Sequence, residues 1–137
     1  MVETVFIDTW AWLALANRRD TNHEFAKAYY AKLTTSGCKL VTSDYVLDEL
    51  ITALFRNVVY TSAVQFIESL LAAITTNRVL LERVTEPRFI SAWSLRRKYK
   101  DKPDISFTDF TSMAISKVFT GDAHFEEVHL GFEILRK

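Results

Sequence analysis

The chain has 137 residues, of which 49% are hydrophobic and 25% charged. That size and composition predict one ordered globular domain covering 1–137, with little disorder expected. Lys plus Arg and Asp plus Glu each number 17, so attraction to polyanions by net charge is excluded and only local basic patches remain. The single cysteine, Cys38, excludes an intramolecular disulfide framework and a cysteine-built zinc cage, and suits a reducing compartment.

Met1-Val2-Glu3-Thr4-Val5-Phe6-Ile7-Asp8 has no basic segment and meets carboxylates early, unlike an export signal. The apolar stretch from Ala63 to Ile74 is interrupted by Gln65, Glu68 and Ser69 and is too short to span a bilayer. A cytoplasmic protein is expected.

Val5-Phe6-Ile7 reads as a short, fully buried strand, and Trp10 to Ala16 as a helix behind Asp8. His23 to Leu33 is a helix with Phe25, Tyr29 and Leu33 on one face. Lys39-Leu40-Val41 is a second strand, and Thr42-Ser43 are capping residues for a helix that buries Val46, Leu47, Leu50, Ile51 and Leu54. Ser62-Ala63-Val64-Gln65 fits a capping box for the next helix. A third strand runs from Val79 to about Val84, and Pro87 suits the start of another helix. Ser106-Phe107-Thr108-Asp109 opens a helix expected to reach about Lys117, followed by a fourth strand at Val118-Phe119-Thr120. Gly121-Asp122 turns into a short helix near His124 to Val128, and Phe132 to Leu135 is a last strand. This alternation predicts an α/β fold: a three-layer α/β/α sandwich around a central, mainly parallel sheet of four or five strands.

In such sheets, ligands gather at the carboxyl ends of the strands. Asp8 and Asp122 follow strands in this scheme, and Asp109 and Glu49 lie near the starts of helices at the same edge. Each acid also has a plainer reading. Asp8 suits a helix N-cap, Asp109 a capping box with Ser106, and Asp122 a turn. Asp48 and Glu49 lie at similar angles to the apolar face of their helix, and a lone helical Glu is usually solvated. Brought together, four carboxylates repel one another unless protons or cations intervene, and hard oxygen donors select Mg²⁺ or Mn²⁺.

Phe6-Ile7-Asp8-Thr9, Asp48-Glu49-Leu50, Ser106-Phe107-Thr108-Asp109 and Thr120-Gly121-Asp122-Ala123-His124-Phe125 occur in that order. With Asp20 to Ala26 and Gly131-Phe132-Glu133, they give the chain a likeness over Val5 to Leu135. It resembles the PIN-domain ribonucleases, most of all the VapC-type toxins of toxin–antitoxin pairs. The resemblance implies a Mg²⁺- or Mn²⁺-dependent endoribonuclease leaving a 5′-phosphate and a 3′-hydroxyl. Asp8 and Asp109 would be direct metal ligands, with Glu49 and Asp122 completing the site or holding its waters. Thr9 and Ser112 match polar positions that would steady those ligands, and Asp104 is a spare acid close by. A homodimer and a small antitoxin that blocks the cleft are implied as partners. In one respect the chain departs from the pattern. The segment between Asp109 and Asp122 is several residues short, so either the helix ends early or the strand is displaced. The alternative function is therefore a PIN-like module that binds RNA or an antitoxin without cutting.

RNA contacts are expected from Arg96, Arg97 and Tyr99 in the run Arg96-Arg97-Lys98-Tyr99-Lys100, and from Arg18, Arg19 and Arg56. The competing reading of the run is a solvated helix end. Trp10, Trp12 and Trp93 read as core or dimer contacts rather than base-stacking platforms, and His23, His124 and His129 as helix-boundary or surface residues. The sequence lacks the second aspartate of an aspartyl phosphatase, the acid pair and phosphoacceptor of a receiver domain, and the glycine-rich loop of a P-loop NTPase.

Overall fold

Short, uninterrupted apolar runs can be buried on both faces only as strands covered from two sides, and the protein uses them so. A computed structural model of the protein describes residues 3–120 and 131–135. It contains β1 (Thr4–Ile7), α1 (Thr9–Ala16), α2 (His23–Thr35), β2 (Lys39–Ser43), α3 (Asp44–Asn57), α4 (Tyr60–Thr75), β3 (Val79–Glu82), α5 (Glu86–Lys98), α6 (Phe107–Thr120) and β4 (Phe132–Leu135). The strand order is β3-β2-β1-β4. β1, β2 and β3 are parallel, and β4 pairs antiparallel to β1 with Phe6 opposite Glu133 and Ile7 opposite Phe132. Val5, Phe6, Ile7, Leu40 and Val41 are all buried. Successive strand residues point to opposite faces, so helices cover the sheet on both sides. The expected α/β architecture with a mainly parallel sheet is the one observed.

Two apolar clusters hold the fold. The larger joins the sheet to α1, α2, α3 and α4 through residues such as Phe6, Trp12, Val46, Leu50 and Leu70. The smaller fixes α6 to α5 through Ala92, Leu95, Phe110, Met113 and Ala114.

Three local expectations are corrected. Val118-Phe119-Thr120 is the last turn of α6, not a strand. The helix runs on instead of ending early, and the fourth strand of the sheet is the Phe132–Leu135 segment, in the antiparallel sense. An apolar triplet carries no period of its own, so the helix before it decides its conformation. α4 begins at Tyr60 after Val59, and no side-chain hydrogen bond caps it, so Ser62 is inside the helix and forms no capping box at its start. β3 stops at Glu82. Asp122 and the expected short helix at His124 to Val128 lie outside the described residues.

Candidate active site

Asp8 occupies the junction between β1 and α1, and its backbone is fixed from both sides. Its N–H donates to the Gly131 carbonyl at 2.7 Å. The carbonyl before it, that of Ile7, accepts from the buried Thr42 hydroxyl at 2.9 Å, which in turn accepts from the Trp12 indole at 3.1 Å. The Asp8 carboxylate accepts from the Thr9 N–H at 2.8 Å and so caps α1. Gly131 makes the close approach possible. It has φ +78, and a Cβ there would lie 3.1 Å from both the Asp8 Cβ and the Ala11 nitrogen, so only glycine fits without strain.

Asp109 is placed by the expected capping box. Its N–H donates to the Ser106 hydroxyl and its Oδ2 accepts from the Ser106 N–H, both at 3.1 Å. The helix caps use one oxygen of Asp8 and one of Asp109, and neither cap engages the second oxygen of its carboxylate. In α3, Asp48 is exposed and Glu49 half-buried, which decides between two residues that periodicity left equal.

These acids act on one another. Burial pushes the Asp8 carboxyl up from 3.8 to about 7. The negative charge of Asp109 adds to the shift, the Thr9 N–H opposes it, and Glu49 and Glu133 raise it further. Loss of hydration and like charges both disfavour the ionised form. Asp8, Glu49 and Asp109 therefore share one electrostatic environment.

Glu133 is the member that sequence reasoning missed as a site residue. It lies opposite Phe6, and Phe6 shares a face of the sheet with Asp8, so β4 turns Glu133 to the Asp8 side. The Ser116 hydroxyl of α6 lies 3.4 Å from its Oε2. The available signal was a half-buried acid within the apolar run Phe132-Glu133-Ile134-Leu135.

The polar neighbours divide into two kinds. Ser112 is buried one turn after Asp109 and donates to the Thr108 carbonyl. The Thr9 hydroxyl is buried with no hydrogen-bond partner among the described residues. An unpartnered buried hydroxyl in the residue after Asp8 is unusual and calls for a partner beyond the described residues. Among the described residues, no three His, Cys, Asp or Glu side chains converge closely enough to hold an ion unaided.

The basic candidates are scattered. Arg96 belongs to the fold: its guanidinium donates to the carbonyls of Tyr99, Lys102 and Ile105 and lies 5.1 Å over the Phe110 ring. Tyr99 stacks on Phe110 at 6.2 Å. Arg97 is exposed beside them. Arg18 and Arg19 are exposed just beyond α1, at the end opposite Asp8 and about 12 Å along the helix axis. Arg56 is exposed in the last turn of α3, and Asp104 is exposed before α6. His23 joins α1 to α2 through the Ala14 carbonyl at 2.7 Å, whereas His124 and His129 lie outside the described residues. Trp12 is buried as expected, but Trp10 and Trp93 are exposed.

Comparison with known proteins fits this geometry. The family model described as the PIN domain matches residues 5–129. The chain belongs to the PIN-domain family. It is 33% identical over 114 residues to the 23S rRNA-specific endonuclease VapC20 of Mycobacterium tuberculosis, in strains CDC 1551 / Oshkosh and ATCC 25618 / H37Rv, covering 82% of this chain and 80% of the relative. The crystal structure of M. tuberculosis VapC20, described as a sarcin–ricin-loop-cleaving toxin, superposes with a TM-score of 0.69 at 32% identity. That match covers 82% of this chain and 81% of the other. A PIN-domain chain with its sheet-edge acids coupled is thus similar to a toxin that cuts ribosomal RNA.

Proposed function

We propose that the protein is an endoribonuclease of the VapC toxin type, dependent on Mg²⁺ or Mn²⁺ and acting on single-stranded or looped RNA. The observation that carries this reading is the buried Asp8 at the end of β1, whose carboxyl is lifted to about 7 by burial first and then by the charges of Asp109, Glu49 and Glu133. Such a set of carboxylates is costly on its own and becomes favourable around a divalent cation. Asp8 and Asp109 are the direct ligands in this reading, with Glu49 and Glu133 behind them, and Asp122 remains assigned by resemblance to the family. Few protein ligands and several waters suit Mg²⁺, which dehydrates reluctantly. When bound, the ion supplies a more acidic water and a counter-charge for the phosphate.

The remaining roles fall to the chain itself. The Thr9 N–H and the Ser106 capping box hold the Asp8 and Asp109 carboxylates in fixed orientations. Near neutral pH Asp8 carries a partial proton, which it would give up in holding a cation. Thr9 would add its hydroxyl, buried and without a hydrogen-bond partner among the described residues, to the polar groups that hold the ion. A homodimer in the cytoplasm, silenced by a small antitoxin, completes the proposal. Among the described residues, no helix is long and apolar enough to cross a membrane.

The test is cleavage of a mixed RNA pool and of a ribosomal RNA fragment carrying the sarcin–ricin loop, with Mn²⁺ or with chelator. Wild type should cut only with the metal, and Asp8→Asn and Asp109→Asn should not cut. Equal background in wild type and Asp8→Asn would leave the binding-module alternative.

A further inference from the structure

An exposed tryptophan needs an explanation, because a large apolar ring in water forgoes burial that a core position would provide. Trp10 is 67% exposed, whereas its neighbours Thr9, Ala11 and Trp12 are all buried. It stands two residues after Asp8, in the first turn of α1. Gly131 locates it relative to the acids: a Cβ on that glycine would touch both the Asp8 Cβ at 3.1 Å and the Trp10 Cβ at 3.4 Å. The carboxylate and the indole therefore leave the backbone from the same small patch. The glycine that lets Asp8 approach β4 also leaves the base of the indole uncovered.

We propose that Trp10 is a base-stacking platform at the mouth of the site, on which a base next to the scissile phosphate lies. The inference rests on the nuclease reading above. The ion of the nuclease reading offers a counter-charge to the phosphate alone, and the first turn of α1 carries no Lys or Arg, so hold on the neighbouring nucleotide has to come from another source. Stacking on an aromatic ring is tolerant of sequence and does not depend on charge. The Trp10 Cβ is anchored in the first turn of α1 close to Gly131, which sets where the indole leaves the backbone. The base, not the phosphate, is the recognised group.

The experiment uses the full chain as wild type, Trp10→Ala and Trp10→Phe. Each is assayed with Mn²⁺ on a single-stranded RNA dodecamer and on a set of the same oligomers carrying one abasic nucleotide at successive positions. Trp10→Ala should lower kcat/KM by about 5- to 100-fold, mainly through KM, while Trp10→Phe stays within about threefold of wild type. One abasic position beside the cut should cost wild type a similar factor and cost Trp10→Ala nothing more. Unfolding midpoints and Mn²⁺ affinity should match wild type in both variants. Wild-type cleavage by Trp10→Ala, or an undiminished abasic penalty in it, overturns the proposal. RNA affinity measured by anisotropy separates the two readings. Weaker RNA binding by Trp10→Ala, with no cleavage by wild type, keeps the platform and ends the nuclease reading. Equal binding by the two proteins, or none by either, ends the platform. A smaller species for Trp10→Ala in sedimentation, with unchanged RNA affinity, would make the indole a contact between copies and refute it.

Discussion

Asp8→Asn, in chelator-treated buffer at about pH 8, should make the protein more stable, although it removes a carboxylate assigned to the site. Asp8 rises from 3.8 to about 7 on folding because of burial and the charges of Asp109, Glu49 and Glu133. Below about pH 4 both states are protonated and the group contributes no penalty. Between there and about pH 7 the unfolded chain ionises while the folded chain holds its proton, so stability falls as the pH rises. Above that the full difference is present, at most about 4 kcal/mol from 1.36 kcal/mol per unit. Asparagine keeps the cap on the Thr9 N–H and carries no charge. Urea unfolding should therefore place the variant about 2–4 kcal/mol above wild type near pH 8, with the gap closing near pH 4. Mn²⁺ at a hundred times its dissociation constant should close most of that gap, adding about 2.7 kcal/mol to wild type alone. A variant no more stable than wild type near pH 8 without metal would refute the coupled-carboxylate argument.

Other substitutions probe the scaffold of the site. Gly131→Ala puts a methyl group 3.1 Å from the Ala11 nitrogen at a φ of +78; it should cost about 1–3 kcal/mol in unfolding and reduce cleavage by displacing Asp8, and an unaffected enzyme would dismiss Gly131 as a positioning residue. Thr9→Val removes a buried hydroxyl without a partner among the described residues, so stability without metal should hold or rise by about 1 kcal/mol while calorimetry shows weaker Mn²⁺ binding; a clear loss of stability would mean that the hydroxyl has a protein partner. Arg96→Ala should lower the urea midpoint by about 1–3 kcal/mol, since three carbonyls lose a charged donor, whereas Arg97→Ala should leave it unchanged and weaken RNA binding in a salt-dependent way. Equal stability losses for the two would remove the distinction between them.

Much of this was legible in the sequence because the signals were local. The apolar runs of β1 and β2, the apolar face of α3 and the Ser106–Asp109 capping box each depend on neighbours within a few residues. What needed tertiary contacts was not legible. Asp48 and Glu49 are adjacent on one helix, and only packing turns Glu49 inward while Asp48 meets solvent. The charge run at Arg96 to Lys100 gave no hint that Arg96 gathers the carbonyls of the following loop. Val118-Phe119-Thr120 fits a strand or a helix equally, and the continuing turns of α6 decided it. Glu133 joins the acids only because β4 runs antiparallel to β1, a pairing that no local pattern announces.

The capping and ligand readings of Asp8 and Asp109 looked like rivals, and the geometry makes them one arrangement. A carboxylate at a helix N-terminus meets roughly half a unit of positive charge from the peptide dipoles. Asp8 receives this from α1 and Asp109 from α6. That charge, with the Thr9 and Ser106 N–H groups, lets two acids face each other in a folded chain before any cation arrives. It does not offset burial and the surrounding acids together, because the Asp8 carboxyl still rises to about 7, with loss of hydration the larger cause. The helix ends therefore make the cluster more tolerable; burial favours a proton on Asp8, and the charges of Asp109, Glu49 and Glu133 favour a proton or a divalent ion. A chain with stronger caps would fold more easily and bind the ion less well.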